Sequence, residues 1–221
     1  METQDADART ASFLAFVHTG LAPCEATGSA VHLGNGLFVT AAHVVDGAPA
    51  LMRGCPPSLP RSTVTFQGST RLAELVGTGT AEVGPVLGLR YLGGRDLGLL
   101  RLPGGLGPAA HPCAFDATAG EAVIIASPWR VFRTRVLGMM QEDRQVFGGY
   151  AEVAARLEPG ESGAGVFDAG QGCLLGVVSH RDNPTPDRTR VVLASALRAF
   201  LEEEHALMRR PASGVAVPLR R

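Results

Sequence analysis

The stretch "LEPGESGAGVFDAG", Leu157 to Gly170, sets one hydroxyl among small residues. Gly160, Gly163 and Gly165 surround Ser162, and the apolar pair Val166-Phe167 follows. Glycine reaches backbone angles that other residues avoid. Taken alone, the segment reads as a tight turn leading into a strand. It also reads as a turn that aims a serine oxygen and two backbone N–H groups at a carbonyl group.

Working outward, short apolar runs alternate with glycine-rich breaks. Ser29–Leu33, Leu37–Thr40, Ser62–Gln67, Leu72–Val76 and Leu97–Leu102 read as strands, as do Ala122–Ala126, Arg130–Met139, Ala151–Leu157, Gly165–Asp168, Leu174–Ser179 and Val191–Ala194. A helix is expected over residues 195–208, with Ser195 as its N-cap and Leu197, Phe200, Leu201 and His205 on one face. Many short strands with one terminal helix predict an all-β barrel or sandwich. The Gly/Pro-rich stretch 103–112 divides the strands into two groups. The expected organisation is an N-terminal segment 1–23, a domain over 24–206 with β-lobes at about 24–102 and 113–194, and a flexible tail 209–221.

A serine hydroxyl is a weak nucleophile and needs a base to take its proton. Among the histidines, His43 stands out in "GLFVTAAHVVDG", where a strand ends in small residues and then the imidazole. A strand end followed by a short turn is a rigid mount. His32 falls in a strand, His111 in the linker and His205 on the helix, each with a packing or surface reading. Asp46, Glu74, Glu82, Asp96, Asp116 and Asp143 are the candidate orienting acids. Asp96 is preferred because "RDLGLLRLP" puts a carboxylate at the mouth of an apolar strand. By itself it also reads as a strand-start turn residue.

"FVTAAHVVDG", "RDLGLLRL" and "EPGESGAGVFDAGQGCLLGVVSH" together resemble the trypsin-like, chymotrypsin-fold serine endopeptidases, in particular the compact bacterial branch that includes the HtrA-type proteases. The order His, Asp, Ser is the chymotrypsin order. The resemblance spans about Gly28 to Glu204 and implies two six-stranded β-barrel lobes with a C-terminal helix. It implies His43 as general base and then acid, Asp96 as its orienting partner, Ser162 as nucleophile, and the amides of Gly160 and Ser162 as the oxyanion hole. It further implies that Ser179-His180-Arg181 forms an edge on which a peptide substrate pairs as an added strand. Arg156, six residues before Ser162, falls near where the family places its specificity determinant, and by itself also reads as a surface strand residue. With His180 and Arg181 it points to an acidic or polar substrate side chain.

The chain departs from the family pattern. Glu161 stands where Asp or Asn is usual, and Ala164 where Gly is usual. A positive φ at Ala164 would be strained. No cysteines flank His43, and no Ile-Val-Gly-Gly-like sequence supplies an activating amine. Glu161 is expected either to pair with an internal arginine, Arg156 being nearest in sequence, or to face solvent. Beside the endopeptidase stands a protease-fold binding module, and, less favoured, an esterase. The esterase would need Ser before Asp before His and alternating helices.

The 221 residues carry a net charge of −1, with all 20 basic residues arginine, so no footprint for nucleic acid or anionic membrane is present. Cys24, Cys55, Cys113 and Cys173 lack the close spacing of a zinc site, and no metal or cofactor is expected. The N-terminus makes a poor signal peptide, and no segment is long and apolar enough to span a bilayer. The expectation is therefore a cytoplasmic protein with four reduced thiols. Its expected partners are a protein or peptide substrate and a regulatory partner protein that restrains it.

Overall fold

The computed structural model describes residues 2–47, 54–55, 61–84, 88–104, 107–140, 149–181 and 187–209. The chain opens with helix α1 (Glu2–Ala11). It then forms β1 (Leu14–Thr19), β2 (Ala26–Gly34), β3 (Leu37–Thr40), the one-turn helix α2 (Ala42–Val45), β4 (Ser62–Phe66) and β5 (Ser69–Thr78). A hairpin of β6 (Ala81–Gly84) and β7 (Gly88–Tyr91) precedes β8 (Gly98–Arg101). The second half contains β9 (Ala122–Ala126), β10 (Val131–Met139), β11 (Tyr150–Val153), β12 (Gly165–Asp168), β13 (Leu174–Arg181) and β14 (Thr189–Leu193), and ends in α3 (Ala194–Arg209).

Two closed six-stranded antiparallel barrels result, in the orders β1-β2-β3-β8-β5-β4 and β10-β11-β14-β13-β12-β9. Closure gives every barrel strand a neighbour on each side. Strand period sorts the apolar residues. Phe38 and Leu100 point into the first barrel, and Val123 and Ile125 into the second. Their neighbours Val39, Leu99, Ile124 and Ala126 join a third cluster, together with Phe13, Phe167, Val177 and Leu197. Because this cluster draws on both barrels, strands such as β8 and β9 are apolar on both faces and read as continuous runs.

The first lobe begins earlier than the expected residue 24, because β1 pairs with both β2 and β4 and completes the ring. Its apolar run is short and sits beside a helix that the sequence pattern did not announce. At the other end α3 starts at Ala194, and the expected cap is replaced. The Asp116 carboxylate accepts the Ser195 backbone N–H at 2.7 Å, from 79 positions upstream. The tail expected over 209–221 lies outside the described residues beyond Arg209, as does Asp143.

The free-thiol expectation is overturned. Cys24 is bonded to Cys55, and Cys113 to Cys173. The partners are separated by 31 and 60 positions, so spacing gave no signal. For the second pair the fold supplies the encounter. The Cys113 N–H donates to the Leu174 carbonyl and the Leu174 N–H to the His111 carbonyl, each at 2.9 Å. The segment between the barrels is thereby laid against the start of β13.

Candidate active site

β3 ends at Thr40, and two fully buried alanines, Ala41 and Ala42, lead into α2, which carries His43. Small residues are needed because α2 lies hard against β8. A Cβ on Gly98 would sit 2.5 Å from Val45 Cγ2. This close approach brings His43 to Asp96, just ahead of β8. Asp96 is 1% exposed. Its Oδ1 accepts the His43 backbone N–H at 3.0 Å, and its Oδ2 contacts His43 Nδ1 at 2.7 Å. An ionised Asp96 can only accept, so Nδ1 carries the proton and Nε2 is left bare. The rival Asp46 is engaged elsewhere, accepting the Tyr91 hydroxyl at 2.5 Å.

Burial opposes ionisation of Asp96, but the His43 charge, the hydrogen bonds of His43 and that of Ser179 together hold its pKa below the usual carboxylate value. Burial likewise lowers the His43 pKa, and Asp96, through its charge and hydrogen bond, outweighs it and raises the imidazole above 6.5. The Ser179 hydroxyl donates to Asp96 Oδ2 at 2.5 Å. Sequence reasoning placed Ser179 only on a substrate edge. Its contact with Asp96 joins the two barrels across 83 positions and left no local signal.

Ser162 sits on the other barrel, in the turn before β12. The turn is stitched to the first barrel. The Ser29 N–H donates to the Ser162 carbonyl at 2.7 Å, and the Ser29 hydroxyl to the Gly160 carbonyl at 3.1 Å. The Thr40 hydroxyl in turn holds the Ser29 carbonyl at 2.7 Å. A Cβ on Gly28 would meet Val44 at 2.7 Å and the Ser162 carbonyl at 2.8 Å, so the residue after His43 and the serine flank one point. Gly163 has φ +88°, and a Cβ there would strike the Ser29 carbonyl at 1.9 Å. Positive φ falls at Gly160 and Gly163, while Ala164 is not among the described residues with positive φ and is fully buried. The departure at 164 therefore carries no strain. Among the described residues, the Gly160 and Ser162 amides have no hydrogen-bond acceptor, and the Ser162 hydroxyl makes no hydrogen bond. The expected His43–Ser162 contact is thus not made in this unbound geometry, where such bonds are often loose.

Glu161 does pair with an internal arginine, but with Arg130 and not Arg156. Arg130 Nε reaches Oε1 and Nη2 reaches Oε2, both at 2.6 Å, in a bidentate fork. The Ser127 hydroxyl adds a bond at 3.2 Å and the Glu158 N–H one at 2.7 Å. Burial alone would raise the Glu161 pKa. The Arg130 hydrogen bonds, the Glu158 N–H and the Arg130 charge more than offset this and lower it. Ser127 and Arg130 flank the β9–β10 turn. The only sequence signal was "SPWR" after an apolar strand.

A cleft of about 150 Å³ beside Ser162 is lined by Leu157, Glu158, Pro159, Val178, Ser179 and His180. Arg156 does not line it. Its guanidinium is 60% exposed and lies 3.7 Å from Glu158, while its carbonyl accepts Arg130 Nη2 at 2.9 Å. The Arg181 side chain lies outside the described residues. The acidic-side-chain expectation thus loses Arg156 as its support. β12 begins at Gly165 opposite Val177, so Ser179 and His180 extend past it alongside the serine turn.

The family model of the trypsin-like peptidase domain matches residues 26–177. The chain belongs to that family. No curated protein matches it. Among solved structures, the HtrA-type protease AlgW with a tripeptide superposes with a TM-score of 0.69 at 18% identity, covering 92% of this chain and 64% of that one. The serine endoprotease from Yersinia pestis gives 0.66 at 17% identity, covering 92% and 66%. The Rv3671c protease from M. tuberculosis in its active form gives 0.65 at 19% identity, covering 89% and 82%. The chain thus spans just under two thirds of the first two. These likenesses concern the fold, which is chymotrypsin-like.

Proposed function

We propose that the chain is a serine endopeptidase in which Ser162, His43 and Asp96 act as a triad. The observation that carries this reading is the His43 imidazole held in its Nδ1–H tautomer by a buried carboxylate, on the barrel to which the Ser162 turn is stitched. In this reading His43 Nε2 takes the Ser162 proton as Oγ attacks the peptide carbonyl. The oxyanion is received by the Gly160 and Ser162 amides. His43 then returns the proton to the leaving amine, and water hydrolyses the acyl-enzyme by the same steps. The substrate chain adds along β13 at Ser179 and His180.

Two supports of the binding-module alternative are gone: Glu161 is neutralised by Arg130, and Ala164 needs no left-handed backbone. The esterase reading is opposed by two barrels in place of alternating helices. A fluorophosphonate probe tests the proposal. It should label the wild type and fail on Ser162→Ala and His43→Ala; an unlabelled, folded wild type would sink it. The regulatory partner belongs to the same proposal and would act at the cleft, since Arg130 already clamps the loop.

Among the described residues no helix is long and apolar enough to cross a membrane. The two disulfides favour an oxidising compartment over the reducing cytoplasm first expected. Thiol titration of denatured, unreduced protein should find no free cysteine. Four titrating thiols would restore the cytoplasmic reading.

A further inference from the structure

We propose that His180 and Arg190 are positioning residues that fix the direction of the Ser179 hydroxyl towards Asp96, extending the hydrogen-bond order of the site to Arg190, His180, Ser179, Asp96 and His43. This rests on the peptidase reading above. The order follows from counting protons. Arg190 Nη1 lies 3.0 Å from His180 Nε2. A guanidinium only donates, so Nε2 must accept and is bare. The single ring proton is then on Nδ1, which lies 2.6 Å from the Ser179 oxygen. That hydroxyl oxygen accepts from His180 and has one proton to give. It gives it to Asp96 Oδ2 at 2.5 Å. Asp96 Oδ2 therefore receives two donors, Ser179 and His43 Nδ1, while the Tyr150 hydroxyl, which also meets Ser179, is left to donate to the serine oxygen's remaining lone pair.

The charged and titratable groups around His180 are consistent with a fixed neutral ring. Arg190 faces it from β14 and Tyr150 from β11, edge-on at 5.9 Å between ring centroids. Asp96 precedes β8, and His43 lies on α2. Burial pushes the His180 imidazole down to about 4; Asp96 works against this, and Arg190 and His43 add to it. The ring therefore keeps one tautomer across the range in which His43 titrates. Without Arg190, His180 could carry its proton on Nε2. Its bare Nδ1 would then compete with Asp96 for the Ser179 proton, and Asp96 would lose a donor and become the stronger base towards His43.

The test is ring-nitrogen NMR on the full chain with ¹⁵N-labelled histidine, together with pH profiles. In the wild type His180 should show the neutral Nδ1–H tautomer throughout pH 5 to 8. An Nε2–H tautomer, or an imidazolium forming near pH 6, would overturn the proposal without any variant being made. Arg190→Met lies outside the cleft lining and should switch the tautomer. It should also move the acid limb of kcat/KM upward by about one pH unit, the effect of one lost hydrogen bond to a charged group. Arg190→Lys keeps a donor and should restore both. An unmoved limb with only KM altered would reduce His180 to a wall of the cleft. If the expected tautomer appeared while the fluorophosphonate probe left Ser162 unlabelled, the peptidase reading would fall and the positioning role with it. A labelled Ser162 beside the wrong tautomer would remove this inference alone.

Discussion

Two acids lie almost wholly buried at this site and are held in opposite ways. Asp96, 1% exposed, is met by a backbone N–H, a hydroxyl and an imidazole. Glu161, 3% exposed, is met by the fork of Arg130, with a hydroxyl and a backbone N–H beside it. The guanidinium never releases its proton, so Glu161 has a permanent counter-charge and serves as an anchor. The imidazole titrates, so Asp96 has a counter-charge only when His43 is protonated, the state a proton transfer creates. A carboxylate with a constant partner fixes a loop. One with a titrating partner favours the charged intermediate of a reaction.

The largest break in this contrast is Asp96→Asn. The amide cannot enforce the Nδ1–H tautomer, and turnover should fall about 10⁴-fold with the fold intact. Peptide hydrolysis and a thermal melt read the two effects separately. Retained activity would transfer the orienting role to another acid.

Arg130→Met comes next. It strands a carboxylate that Ser127 and Glu158 alone must satisfy. A fully enclosed broken pair costs about 3–5 kcal/mol, but the Arg130 side chain is 41% exposed and solvent screens it, so roughly 2 kcal/mol is expected. Chemical denaturation measures this, and probe labelling should fall as well, because the displaced residue adjoins Ser162. Glu161→Gln should cost less than Arg130→Met, since the arginine left behind can be solvated. Equal losses would mean that the pair acts by packing and not by charge.

The smallest effects are in pH. The raised pKa of His43 means that the stability its pair contributes is fully present below 6.5 and is lost as pH rises through the folded value. In the proposed mechanism activity runs the other way, because His43 must be neutral to act as base, so the acid limb of kcat/KM should have its midpoint above 6.5. Glu161 has a lowered pKa, so its contribution is present above 4.5 and is lost as pH falls through the folded value. Above about pH 6.5 the anchor should stay constant while the base titrates. Denaturation at a series of pH values beside kcat/KM would separate them, and an acid limb below 6.5 would contradict the assignment.

Much of the candidate site's geometry was legible because its parts are local. A strand end with small residues marks His43, a carboxylate before an apolar strand marks Asp96, and glycines at 160 and 163 mark a turn with positive φ. The two-barrel architecture followed from strand periodicity, the interbarrel break and the family resemblance. β1 escaped because its short apolar run resembled a fragment of the terminus. Arg156 was the nearest cation to Glu161 in sequence, yet its side chain faces solvent beside Glu158. The β9–β10 turn delivers Arg130 from 31 positions away. The cysteines were misread because no spacing rule links positions 60 apart, and compartment was argued from the N-terminus alone.

By itself the sequence determined the chemistry on offer: a serine framed by glycines, a histidine on a rigid mount, an acid in an apolar setting, and their order along the chain. These depend on backbone angles and strand period, which neighbours in sequence dictate. Only the tertiary structure decided the partners of the buried charges, namely Arg130 for Glu161, Ser179 for Asp96, Asp116 for the start of α3, and cysteine for cysteine. A charge or polar group taken out of water must be satisfied by whatever the fold brings within about 3 Å, and distance along the chain does not limit that choice.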